Sequence, residues 1–293
     1  MRAMTSSGTT LVRRAASPCV VAEGPRWCAA DKTLYWVDLT GGRYLRQRDG
    51  AAPTAFEEFD PGLGKIGALA PLGHGRLRLF TERCEVWDTD FGGTPVLRWK
   101  LPNREGRRFN DVWVDGANAF CGVAHDPSQG LKGELWLLRD GAFTCLESAT
   151  DGNPNGMGVS PDGKTFYFVV SDEKRIYAYD YDRETGRLAN RRILADDFAA
   201  PGVPDGMTVD QRDGTLWVAL WDGARLEHRA EDGRILDCVA FPMKKVTSVE
   251  VGAGRIFVTT ANREPDAAAY FAATGAGSVF ELKKPSKKGN EPK

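Results

Sequence analysis

Asp162-Gly163-Lys164-Thr165-Phe166-Tyr167-Phe168-Val169-Val170-Ser171-Asp172-Glu173-Lys174-Arg175-Ile176-Tyr177-Ala178-Tyr179 reads as a turn, a strand, a polar turn and a second strand. Asp-Gly tolerates positive φ and is a strong hairpin signal. The run Phe166 to Val170 is aromatic and β-branched, which suits a pleated strand packed on both faces. The same unit recurs five more times. Leu34 to Asp38 leads to Arg43–Leu45, and Leu77 to Phe80 leads to Cys84–Trp87. Phe120 to Val123 leads, after a longer loop, to Glu134–Leu138, and Leu216 to Leu220 leads to Ala224–Glu227. Ile256 to Thr260 leads, after a long loop, to Gly277–Leu282.

The first runs start at 34, 77, 120, 166, 216 and 256, at intervals of 43, 43, 46, 50 and 40 residues. A period near 45 with several strands per unit predicts an all-β, six-bladed β-propeller; a β-sandwich or two separate β domains would not repeat in this way. Six blades use up the chain, which gives one domain over 9–282, an N-terminal tail over 1–8 and a basic C-terminal tail over 283–293. A strand over Thr10 to Ala15 is expected to pair with the last blade and close the ring. No helix of three turns is expected, and Asp266 to Ala273 can form a short one.

The radial geometry of a propeller brings distant residues to one channel. Glu23, Asn155 and Asp205 each stand beside a glycine, and each lies 11 residues before a first run, at Leu34, Phe166 and Leu216. Equal offsets imply equivalent places on three blades. Asn110 lies 10 residues before Phe120 and joins the set approximately. Two carboxylates and an amide oxygen suit one hard divalent cation with positions left for water or substrate. Standing alone, Asn-Gly and Asp-Gly would be ordinary turns, and Glu23 a surface carboxylate. Their shared register argues for a central metal site.

Composition excludes several other classes. The 39 basic and 40 acidic residues nearly cancel, so neither nucleic acid nor an anionic membrane is an expected partner. No apolar run is long enough to span a bilayer, and Met1 to Pro18 lacks a hydrophobic signal segment. The six cysteines form no C-x-x-C pair and are expected to be free and mostly buried, in a cytoplasmic protein that is a monomer or weak homodimer. There is no G-x-S-x-G elbow, no Walker A sequence and no dinucleotide fingerprint. With 3 histidines, a His-rich metal site or a Ser-His-Asp triad has little support.

From Val20 to Leu282 the chain resembles the family of senescence marker protein 30 (regucalcin), gluconolactonase and related sugar lactonases. The resemblance rests on E-G-P-x-W at Glu23 to Trp27, R-F-N-D at Arg108 to Asp111, and N-G-x-x-x-S-P-D-G-K-T at Asn155 to Thr165. It continues through A-Y-D-Y-D-x-x-T-G at Ala178 to Gly186, P-D-G-M-x-V-D at Pro204 to Asp210 and L-W-V-A at Leu216 to Ala219. The family is a six-bladed propeller, in agreement with the repeat count.

The resemblance implies that Glu23, Asn155 and Asp205 are metal ligands. It implies that Arg108 and Asn110 contact substrate, and that Asp205 doubles as general base. One divalent ion (Ca²⁺, Zn²⁺, Mn²⁺, Mg²⁺ or Fe²⁺) is implied, with a small-molecule lactone as substrate. A hydroxide carried by the ion competes with Asp205-activated water as the nucleophile. The chain departs from many members of the family at Gly122-Val123-Ala124-His125-Asp126, where some sugar-acid lactonases also carry a His-Asp pair; His125 is a candidate substrate contact or an ordinary loop residue. It departs again at Glu250-Val251-Gly252-Ala253-Gly254, a change expected to affect a turn. Trp27, Trp36, Trp136 and Trp217 are expected to pack blades. The reading is a metal-dependent hydrolase of a sugar-derived lactone such as glucono-, xylono-, arabino- or galactonolactone. The rivals are an esterase, organophosphatase or non-sugar lactonase of the same fold, and a non-catalytic calcium-binding propeller.

Overall fold

The computed structural model describes residues 3–4, 9–104 and 106–283. In the opening stretch, Thr165–Val170 and Arg175–Asp182 pair antiparallel in unbroken register, from Thr165↔Asp180 to Val170↔Arg175. Gly163, at φ 73°, closes the turn before them. Phe166 to Val170 are all buried because the strand packs on both faces. Phe166, Phe168 and Val170 join Phe120 and Leu137 of the preceding blade. Tyr167 and Val169 join Leu216 and Val218 of the following one. The core is therefore a ring of apolar layers between sheets.

Six such sheets surround a channel. The recognised runs are the second and third strands of each sheet. An inner strand precedes them: Ala22–Cys28, Ile66–Gly73, Phe109–Asp115, Pro154–Val159, Val203–Val209 and Val246–Gly252 for blades one to six. Each inner strand packs against the next, and the sixth packs against the first, so the ring is closed. Blade six takes its outer strand from the N-terminus: Thr10–Ala15 pairs with Val279–Lys283, with Leu11 opposite Leu282. This closure couples the two ends of the propeller.

The expected boundaries shift slightly. Ala3–Met4, placed in the N-terminal tail by the sequence, pairs with Thr10–Leu11 as a short edge strand. Lys283 ends the last strand, and the rest of the basic C-terminal tail lies outside the described residues. The short helix spans Ala267–Thr274; the side chain of Asp266 caps it by accepting from Ala269 N, and Gly275 at φ 79° ends it. The stretch expected to alter a turn does not do so at Glu250. Glu250 lies within the inner strand of blade six, and the turn comes later, at Ala253 and Gly254. All six cysteines are free, with Cys19, Cys28, Cys84 and Cys121 buried, Cys238 half-buried and Cys145 exposed.

Candidate active site

Every inner strand carries an extra residue against its neighbour at the layer of the oxygen donors, and that of blade two carries a second between Pro71 and Gly73. Register shifts lie between Glu23 and Arg26, Phe109 and Val112, Pro154 and Met157, and Pro204 and Met207. Blades two and six shift between Ile66 and Ala68 and between Val246 and Ser248. Such a bulge bends a strand and re-aims its side chains. Here it falls on Glu23, Asn110-Asp111, Asn155 and Asp205, all of which line one cavity of about 250 Å³. Small residues let neighbouring bulges approach. A Cβ on Gly156 would lie 2.3 Å from Met207 N, and one on Gly206 would lie 2.7 Å from the Ser248 Cα.

A chain of hydrogen bonds crosses three blades. Arg108 Nη1 donates to Asn110 Oδ1 at 2.6 Å. Asn110 Nδ2 donates to Asn155 Oδ1 at 2.7 Å and to Pro154 O at 2.8 Å. Asn155 Nδ2 donates to Ser171 Oγ at 2.7 Å, which donates to Pro204 O at 2.6 Å. Both amides are thereby fixed in orientation. Asn155 Oδ1 accepts from Asn110 and keeps a second lone pair for another partner.

The carboxylates are less well satisfied: Glu23 Oε2 accepts from Gly24 N at 3.2 Å. Burial and repulsion from Asp111 push the Glu23 pKa up to about 8. Burial and repulsion from Glu23 and Asp111 raise that of Asp205 well above the usual carboxylate range. Neither forms an ion pair among the described residues. The nearby guanidinium groups are engaged elsewhere: Arg26 lies 3.9 Å from Asp111 and 3.7 Å from Glu250, and Arg108 is bonded to Asn110. Buried, mutually repelling carboxylates demand either protons or a cation. Among the described residues no group of three His, Cys, Asp or Glu could hold a metal. A candidate set therefore has to include the amide of Asn155. Glu23, Asp205 and Asn155 Oδ1 together offer the all-oxygen donors that a hard dication takes.

Of the residues singled out in the sequence, Glu23, Arg108, Asn110, Asn155 and Asp205 line this cavity, and His125 does not. His125 stands behind the wall, its Nδ1 3.7 Å from Asp172, and Asp172 lines the cavity. Sequence reasoning missed Asp111, Asp172, Trp221 and Arg263, which also line it. Asp111 stood inside the R-F-N-D stretch and could have been found there. Trp221 ends a strand and Arg263 follows one, at places where no local pattern marks a site. The four tryptophans assigned to packing behave as expected in three examples: Trp36 is fully buried, Trp27 stacks on Phe257 and Trp217 stacks on His228.

A profile described as the SMP-30/Gluconolactonase/LRE-like region matches residues 21–262, a span that contains all of these site residues except Arg263. The chain belongs to this family. The SMP-30/gluconolactonase-like chain is 34% identical to the pentonolactonase XacC of Haloferax volcanii over 282 residues, covering 93% of this chain and 94% of that protein. It is 33% identical to the L-arabinolactonase of Azospirillum brasilense, covering 82% and 81%. Among solved structures, a luciferin-regenerating enzyme superposes with a TM-score of 0.82 at 27% identity, covering 95% of this chain and 96% of that one.

Proposed function

We propose that the protein hydrolyses a sugar-derived lactone to the open-chain acid and that it does so with one divalent cation. The observation that carries this reading is the convergence of Glu23, Asn155 and Asp205 on one cavity. Asp205 is buried and Glu23 half-buried, neither with an ion-pair partner among the described residues, and the amide is held in a fixed orientation. A cation bound by these three would polarise the lactone carbonyl and stabilise the tetrahedral oxyanion. Asp205 accepts the proton of the attacking water. Arg108 and Asn110 hold substrate oxygens: the guanidinium fork donates, and the remaining lone pair of Asn110 Oδ1 accepts from a hydroxyl, since both Nδ2 hydrogens are taken by Pro154 and Asn155. Asn110, Asn155 and Ser171 keep these groups in register through the bonds that link blades three, four and five.

The lining favours a sugar over an aryl ester. Eleven of the fifteen lining residues are polar, and the other four are Val21, Leu39, Val203 and Trp221. The names of the two similar lactonases support five-carbon aldonolactones as the first substrates to try. The test is a panel of pentono- and hexonolactones assayed by acid release. The protein would be stripped with chelator and reloaded with Ca²⁺, Zn²⁺, Mn²⁺, Mg²⁺ or Fe²⁺ in turn. Turnover of an aldonolactone that is lost on chelation and restored by one metal is expected. Hydrolysis of aryl esters alone would overturn the sugar assignment, and inactivity throughout would overturn the enzyme assignment.

A further inference from the structure

The propeller symmetry defines a second layer above the oxygen donors. Leu39, Glu82, Ala124, Ser171 and Ala261 donate their N–H groups to the carbonyls of Val21, Lys65, Arg108, Asn153 and Lys245, just before the inner strands' bulges, and Trp221 stands at the same level opposite Val203. Leu39, Ser171 and Trp221 of this layer line the cavity. Trp221 is its one indole, and it ends the second strand of blade five, directly opposite Val203. Val203 precedes Asp205 by two residues, about 7 Å along a strand. The indole is therefore rooted about one sugar ring away from the proposed base.

Two features leave this ring ready for a ligand. First, Lys245 Nζ lies 4.9 Å from the ring centroid and is itself held by Asp222. Lys245 does not line the cavity, so the cation supports the ring from outside it. Second, the indole N–H is not sealed in the core as those of Trp36, Trp87 and Trp217 are, and it has no partner among the described residues. Trp221 packs with Val21, Leu39 and Ala261, which makes one wall of the cavity apolar. Arg108, Asn110, Asn155 and Asp205 supply polar lining to the same cavity.

A sugar lactone has the matching asymmetry: hydroxyls around its edge and C–H bonds on a face. We propose that Trp221 is a specificity-determining residue, stacking on the C–H face of the lactone ring and offering its Nε1–H to a ring substituent. The inference rests on the lactonase reading and deepens it. Trp221 touches substrate in ground state and transition state alike, so its loss should weaken binding more than turnover.

The experiment compares wild type, Trp221→Ala and Trp221→Phe on the best aldonolactone of the panel. Trp221→Ala should raise KM about tenfold or more and change kcat by less than about threefold. Trp221→Phe, which keeps a ring and loses the N–H, should recover most of that loss. Titration with the product acid should change tryptophan fluorescence in wild type and lose most of that change in Trp221→Phe, which also decides the matter if Trp221→Ala fails to fold. A KM within twofold of wild type in Trp221→Ala, or an unaltered fluorescence response in Trp221→Phe, overturns the inference and leaves the lactonase reading standing. A wild type that hydrolyses no lactone overturns both.

Discussion

Asp205 and Arg108 occupy the same cavity but carry different loads. Asp205 is a buried carboxylate asked both to hold charge and to take a proton, and its amide isostere can do neither in full. Asp205→Asn should lower kcat by about 10³-fold or more, whereas Arg108→Ala, which removes hydroxyl contacts, should lower kcat/KM by about 10- to 100-fold. Steady-state kinetics on one aldonolactone checks the order, and near-normal turnover by Asp205→Asn would sink it. Glu250 presents a different single-residue effect, one concerned with stability. Burial raises its pKa from 4.5 to about 7, and Arg26, 3.7 Å away, offsets only part of the cost. Between these values the folded chain keeps a proton that the unfolded chain releases. Stability therefore falls as pH rises through that window and levels off above it, by up to about 3 kcal/mol. Glu250→Gln never acquires the charge. Its melting temperature relative to wild type should rise between pH 5 and pH 8, and a relative fall would refute the assignment.

The bulged inner strand is the element that makes the site. Without the extra residue, a strand alternates faces strictly and would send neighbouring side chains into the two flanking blades. With it, Glu23, Asn155 and Asp205 turn to the channel, and the glycines beside Asn155 and Asp205 let blades four, five and six close up. Gly156→Ala places a Cβ 2.3 Å from Met207 N, which is backbone and cannot swing aside. The substitution should cost about 1–3 kcal/mol in denaturant unfolding and lower kcat/KM at least tenfold, because Asn155 and Asp205 lie on the two strands forced apart. Full activity in a destabilised variant would separate packing from the site. This element also marks how far the sequence could be read. The second and third strands were legible because Phe166–Val170 and its equivalents are long apolar runs. The inner strands are bulged and mix polar with apolar residues, and Pro154-Asn155-Gly156-Met157-Gly158-Val159 adds two glycines, so neither periodicity nor propensity announces them. The 11-residue offset still exposed their donors, because the spacing from donor to second strand is the same in blades one, four and five. Asn110 came one residue short in the count, although it takes the same place in its bulge as Asn155 and Asp205, with Asp111 where they are followed by glycine. His125 stands one residue past Ala124, whose N–H bonds to Arg108 O as that of Ser171 bonds to Asn153 O, so it falls beyond the layer that lines the cavity.

At the scale of the whole molecule, site geometry depends on ring closure, because the proposed ligands come from blades one, four and five and only a closed ring holds them at fixed separation. Closure is made by Thr10–Ala15, which buries Leu11 and Ala15 against the last blade. The same segment ties blade six to blade one: Arg14 Nη1 donates to Ala51 O at 3.1 Å, Gln47 Nε2 donates to Arg14 O at 3.0 Å, and Ala16 N donates to Pro53 O at 2.8 Å. Removing residues 1–15 strips the outer strand from blade six and exposes the edge of Val279–Lys283. It also loosens blade one, where Glu23 resides. An open edge of this kind templates intermolecular pairing. The truncated protein should lose about 3 kcal/mol or more of stability, aggregate on warming as followed by light scattering, and lose turnover in parallel. Adding the excised segment back as a peptide should recover part of both, since the register Leu11↔Leu282 and Val12↔Glu281 is specified by the strand that remains. A truncated protein that stays monomeric, melts as wild type does and keeps its activity would show that blade six needs no outer strand, and that the separation of Glu23 from Asn155 and Asp205 is set by the inner ring alone.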